Sequence, residues 1–66
     1  MIKLRDIKCD QSFTYNGHVY KACAYPRIGL WTFRLDCVRQ DDASPTGWII
    51  KDIVGHKTLG DADVAI

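Results

Sequence analysis

Cys9, Cys23 and Cys37, with His18 and His56, are the side chains of this 66-residue chain with the most obvious capacity for chemistry. Thiolate and imidazole together can hold zinc, and a thiol beside an imidazole can act as a nucleophile. The spacing favours neither. There is no Cys-x-x-Cys pair, the usual signature of a small zinc module. In the strand register derived below, His18 and Cys23 fall on opposite sheet faces. A nucleophile needs a base within ~3 Å and a third group to orient that base. His18, beside a hairpin tip, and His56, after Gly55, share no local frame with a thiol. The odd thiol count also leaves one cysteine over in any disulfide scheme. The expectation is three reduced thiols that pack as small apolar side chains, with no metal, no cofactor and no enzymatic site.

Two other short patterns fall away on the same grounds. Gly55-His56-Lys57-Thr58 is superficially like a phosphate loop but lacks that motif's earlier glycine. Asp41-Asp42 and Asp61-x-Asp63 supply too few oxygens for a calcium loop.

The aromatic residues are a stronger signal. Phe13, Tyr15, Tyr20, Tyr25, Trp31, Phe33 and Trp48 are too many for the core of a chain that buries only about 60% of its unfolded surface. Tyr15, Tyr25 or one Trp should stay partly exposed. Exposed rings beside Lys21, Arg27 or Arg34 suit a protein interface, where Tyr, Trp and Arg dominate binding energy. They also suit stacking of single-stranded bases, worth ~1–3 kcal/mol per ring. Charge decides between the two. Nine Lys and Arg against eight Asp give +1, and no basic stripe is present. A protein partner needs no such field, so the candidate partner-binding residues are Tyr15, Tyr25, Arg27, Trp31, Arg34 and Trp48. The alternative, a single-stranded nucleic-acid or nucleotide-binding module, would use Tyr15, Tyr25, Arg27 and Trp31.

The elements that must position these residues are strands. All eight acids are Asp and none is Glu, which favours turns over helices. The Ile, Val, Thr and aromatic residues outnumber Ala and Leu, a strand-building inventory. Ile2 and Leu4 alternate with Lys3 and Arg5. Asn16-Gly17, between β-rich runs, predicts a type I′ hairpin in which Tyr15 faces His18, Thr14 faces Val19 and Phe13 faces Tyr20. One face then carries Phe13, Tyr15, His18, Tyr20 and Ala22. This second strand should run to about Tyr25, with Arg27-Ile28-Gly29 as a connection. Leu30 to Arg39 alternates, with Trp31, Phe33, Leu35 and Cys37 sharing one face. Gln40 to Gly47 reads as a polar loop, Trp48 to Ile50 as a short strand, and Lys51 to Val54 as its continuation or a helical turn. Residues 55–61 read as irregular, and Ala62 to Ile66 as a closing strand beside Ile2–Leu4. The sum is a mostly β single domain over residues 1–66.

Leu4, Asp6, Ile7, Phe13, Asn16, Gly17 and Tyr20 give residues 4–20 a pattern that resembles the opening of very small phage and prophage proteins. Asp10 stands where that group usually has glycine, and Asp accepts a left-handed backbone better than most residues. The resemblance implies a small SH3-like antiparallel barrel or curled five-stranded sheet. Together with the absence of a site for chemistry, it implies a non-enzymatic accessory protein that binds and modulates, as an inhibitor, a host protein such as a nuclease, polymerase or defence complex. A homo-oligomeric virion component is the other alternative, since association would supply the burial a small chain lacks. With no apolar run of ~18 residues and no basic stretch followed by an apolar one after Met1, neither a membrane span nor a secretory signal is expected. The expected location is the cytoplasm, the host's if the chain is phage-encoded.

Overall fold

The computed structural model describes residues 1–40 and 49–66, with the side chains of Ile49 and Ile50 left aside. The Asn-Gly corner forms as its residue types require. β2 (Ser12–Tyr15) and β3 (His18–Ala22) pair antiparallel with Phe13 facing Tyr20, Thr14 facing Val19 and Tyr15 facing His18. Asn16 (φ 51°) and Gly17 (φ 78°) both take the positive φ that a type I′ tip demands.

A second left-handed residue shapes the entry to this hairpin. β1 (Ile2–Lys3) leads into a 3-10 turn (Leu4–Asp6), and the chain then reverses at Lys8–Gln11. The Gln11 N–H donates to the Lys8 carbonyl (3.0 Å), and Asp10 sits at φ 67°. The Asp10 N–H donates to the Ala22 carbonyl and the Ala22 N–H to the Gln11 carbonyl, both at 2.9 Å. Two residues therefore oppose one, a bulge whose first position favours glycine. Asp10 fills it as the sequence expects.

β5 (Thr32–Arg39) is the centre of the five-stranded sheet. Its C-terminal half pairs with β3, and its N-terminal half with β4 (Arg27–Ile28) on the same side. Two expectations are corrected here. β3 stops at Ala22 rather than near Tyr25, and Arg27-Ile28 is a strand rather than a connection. Pro26 has no N–H to give the ladder, so the chain leaves β5 at residues 24–26 and rejoins it at Arg27. On the other side β5 pairs along its whole length with β6 (Ile49–His56). Lys51 to Val54 thus continues the strand. Of the loop expected from Gln40 to Gly47, residues 41–47 lie outside the described residues, as does Trp48.

Residues 57–61, expected to be irregular, form a second 3-10 helix (Lys57–Asp61), capped by His56, whose Nδ1 accepts from the Thr58 N–H at 3.3 Å. This helix seats where two glycines leave room. Gly55 lies opposite Phe33, and a Cβ there would meet Leu59 Cδ2 at 2.9 Å. A Cβ on the buried Gly60 would meet the Phe33 ring at 3.0 Å. β7 (Asp63–Val64) then pairs with β1, as expected, in a separate two-stranded ribbon. Among the described residues the Thr14–Ala65 bridge is the one strand pairing that links that ribbon to β2, and the sheet is not closed into a barrel. Of the two expected forms, the curled five-stranded sheet is the one observed, and barrel closure is not formed.

The core lies between the inner sheet face and this covering layer. Phe13, Ala22, Phe33, Leu35, Cys37 and Ile53 are buried from the sheet, and Leu4, Ile7 and Val64 from the cover. Tyr15 and Tyr20 pack at its rim, the Tyr20 ring stacked on Phe13 at 5.7 Å and tilted against Tyr15 at 6.4 Å. Replacing Asp10 with glycine relieves the left-handed strain without removing a bond that the turn depends on. Asp10→Gly is therefore expected to stabilise the fold by about 0.5–1 kcal/mol, read from urea unfolding. An unchanged or lower midpoint would contradict the strained turn.

Candidate functional site

The β4–β5 connection is a short hairpin closed by a single bond. Ile28 faces Phe33, and the Gly29 N–H donates to the Thr32 carbonyl at 2.8 Å, which leaves Leu30 and Trp31 as its two tip residues. Neither has a positive φ, unlike Asn16 and Gly17 at the other tip. Two-residue tips favour Gly, Asn and Asp because primed turns match the strand twist. Here the tip is leucine and tryptophan, 76% and 68% exposed. Neither local turn preference nor burial accounts for them. Conflicts of this kind are expected where function, not folding, selects the residue.

Other exposed apolar residues lie on the neighbouring strands: Ile28 is opposite Phe33 on β4, Val54 is opposite Arg34 on the outer face of β6, and Tyr25 precedes β4. The Trp31 ring lies 6.4 Å from the His56 ring at a tilt of 49°. The Trp31 carbonyl accepts from the Lys57 N–H at 3.1 Å, which ties the tip to the second 3-10 helix.

Beside this patch, the outer face of the sheet carries a lattice of charge. The register sets Arg27 opposite Arg34 and Asp36 opposite Asp52. Like charges directly opposed would destabilise the sheet, so the pairs form elsewhere. Arg27 Nη2 reaches Asp36 Oδ2, Arg34 Nε reaches Asp36 Oδ1 and Arg34 Nη2 reaches Asp52 Oδ2, each at 2.8 Å. The Arg34 hydrogen bond, with Arg27 adding to it, holds the Asp36 carboxyl below the usual carboxylate range, and the same bond raises Arg34 further. The lattice fixes two arginines beside the apolar tip with no net charge of its own.

The residues singled out from sequence divide accordingly. Arg27 and Arg34 stand opposite each other on β4 and β5, Trp31 is at the tip those strands form, and exposed Tyr25 precedes β4. Trp31 precedes β5 and is exposed, instead of sharing the inner face with Phe33. Tyr15 lies on the β2–β3 hairpin, half-buried against Tyr20, and Trp48 is outside the described residues. Ile28, Leu30 and Val54 went unnoticed. The readable signal was Leu-Trp directly after Gly29, an apolar pair in a position suited to polar turn residues.

The thiols have separate surroundings. Cys9 Sγ–H donates to the Cys23 carbonyl at 3.6 Å, Cys23 is exposed, and Cys37 is buried with its Sγ–H donating to the Lys51 carbonyl at 3.0 Å. Burial, helped by nearby Cys23 and the Asp52 and Asp36 carboxylates, pushes the Cys37 thiol up to about 11. His18 Nδ1 accepts from Arg39 Nη2 at 2.8 Å. Among the described residues no three metal-ligating side chains converge, and no helix is long and apolar enough to cross a membrane. Family models, curated proteins and solved structures were compared with the chain. None matches.

Two pH effects follow. Asp36 titrates lower when folded, so its contribution is present above the ordinary value near 3.9 and is lost as the pH falls through its folded value. Asp36→Asn should remove part of the acid-induced loss of stability below about pH 4; an identical acid limb would show the lattice to be inert. Cys37 titrates higher when folded, so stability is full below the ordinary 9.0 and falls as the pH rises toward about 11. Cys37→Ala should flatten that alkaline loss. In parallel, iodoacetamide should label Cys23 quickly and Cys37 only on unfolding.

Proposed function

We propose that the chain is a non-enzymatic protein-binding module, which engages a partner protein through the Leu30–Trp31 tip. The exposure of two large apolar residues at the apex of a two-residue hairpin carries this reading. Exposed Ile28 precedes the tip on β4, and Arg27 and Arg34 supply oriented donors on the outer face of the same two strands. A tryptophan with neighbouring arginines is the composition of an interface hot spot. The near-neutral charge, with both arginines already held by carboxylates, argues against a phosphate backbone as the partner.

The resemblance of residues 4–20 to small phage proteins, with Asp10 left-handed where those usually have glycine, supports a host protein as that partner and inhibition by occlusion as the mode. The site of action on this reading is the host cytoplasm.

The test exploits the conflict at the tip. Replacing Leu30-Trp31 with Asn-Gly installs the preferred turn, so the variant should keep its fold and raise its Tm by a few degrees, about 4–8 °C per kcal/mol gained. The same variant should lose at least about thirtyfold in affinity for a protein retained by the wild-type chain, the loss expected of a central hot-spot tryptophan. Retention by the variant at wild-type strength would remove the tip from any binding role.

A further inference from the structure

β6 has a second edge that no strand covers among the described residues. The direction of its backbone groups follows from the bonds around β5. The Thr32 and Asp36 carbonyls accept from Gly29 and Cys23, so even-numbered residues of β5 face β4 and β3. Odd-numbered ones face β6, in line with the Lys57 N–H bond to the Trp31 carbonyl. In the β5–β6 register the N–H and C=O groups of Ile53 and Gly55 therefore point to β5, and those of Asp52, Val54 and His56 point outward. The side chains of Asp52, Val54 and His56 lie on the outer face, and all three residues are exposed. Eight residues of strand with no proline form a template for one more strand.

We infer that the occupant is β6 of a second copy, paired antiparallel about a two-fold axis at Val54. Outward-pointing residues must bond to outward-pointing residues, which restricts the two-fold to registers that pair even with even. Placing Asp52 opposite its own mate sets two carboxylates against each other, and that register is disfavoured. Shifting by one step sets Asp52 against Val54. The next register places Val54 against Val54, apolar on apolar, and Asp52 of each copy against His56 of the other. His56 Nδ1 already accepts from the Thr58 N–H, so the ring proton is on Nε2 and can donate to that carboxylate. This pairing alone satisfies both the charge pattern and the exposed valine. It keeps the outer faces of the two sheets continuous. It also uses up both β6 edges, so the assembly closes at two copies. The inference does not rest on the proposed partner site, because the Leu30–Trp31 tip is not required for it.

Sedimentation equilibrium from about 1 μM to about 1 mM spans the range in which a small interface exchanges, and the mass should climb from 7.5 kDa toward twice that value. Val54→Pro removes only an outward N–H and should abolish the rise. His56→Asp keeps a good helix cap but opposes two carboxylates, and should weaken association at least tenfold, whereas His56→Lys should retain it. In a Cys9→Ser, Cys23→Ser background, Val54→Cys should oxidise to a covalent dimer. Directly opposed bonded residues bring their Cα atoms to ~5.5 Å, within disulfide reach. Circular dichroism checks that each variant is folded. A chain that remains at 7.5 kDa throughout, a dimer that survives both Val54→Pro and His56→Asp, or a Val54→Cys chain that does not cross-link would overturn the inference. The Asn-Gly tip replacement leaves β6 intact, so loss of partner binding and loss of self-pairing are separable.

Discussion

One strand holds the molecule together. β3, β4 and β6 all bond to β5, and its alternate side chains serve opposite purposes. Phe33, Leu35 and Cys37 face inward with no solvent exposure, while Arg34 and Asp36 face outward into the charge lattice. Strand period sets this division, and a slip of one residue would exchange core for surface. The inner row draws the covering layer onto the sheet. The outer row orients the arginines beside the exposed tip. Site and core are thus two faces of the same eight residues.

Much of this was legible where local chemistry left little choice. Asn16-Gly17 determined a turn, the turn determined a register, and the register put Phe13 and Ala22 inside. The alternation from Thr32 to Arg39 was equally plain. Where prediction and structure part, a long-range partner decides. Arg27-Ile28 has no strand signature of its own and becomes one because β5 has an unpaired half to offer. The 3-10 helix at Lys57–Asp61 depends on the space above Gly55 and beside Phe33, which a linear reading cannot see. Barrel closure depends on whether the sheet edges meet, and among the described residues the ribbon of β1 and β7 pairs with the sheet only at the Thr14–Ala65 bridge.

The candidate site was half readable. Excess rings pointed to exposed aromatics, and Tyr25 and Trp31 are exposed. Which rings would be exposed was a matter of packing. Tyr15 finds a neighbour in Tyr20, whereas Trp31 sits on a tip beside the His56 ring and stays exposed. Arg34 was visible as an outward cation. Its fixation by Asp36 and Asp52 required knowing that β6 lies alongside.

The pocketing of Phe33 between Gly55 and Gly60 bears on which alignment of β5 and β6 the fold accepts. A two-residue slip of β6 along β5 keeps every side chain on its proper face, so hydrophobicity alone does not reject it. Such a slip would slide a branched residue, Ile53, into the place of Gly55, and Leu59 would no longer find its slot. Volume therefore proofreads the long hairpin. The Lys57–Asp61 helix thus seats over a hairpin in this one register.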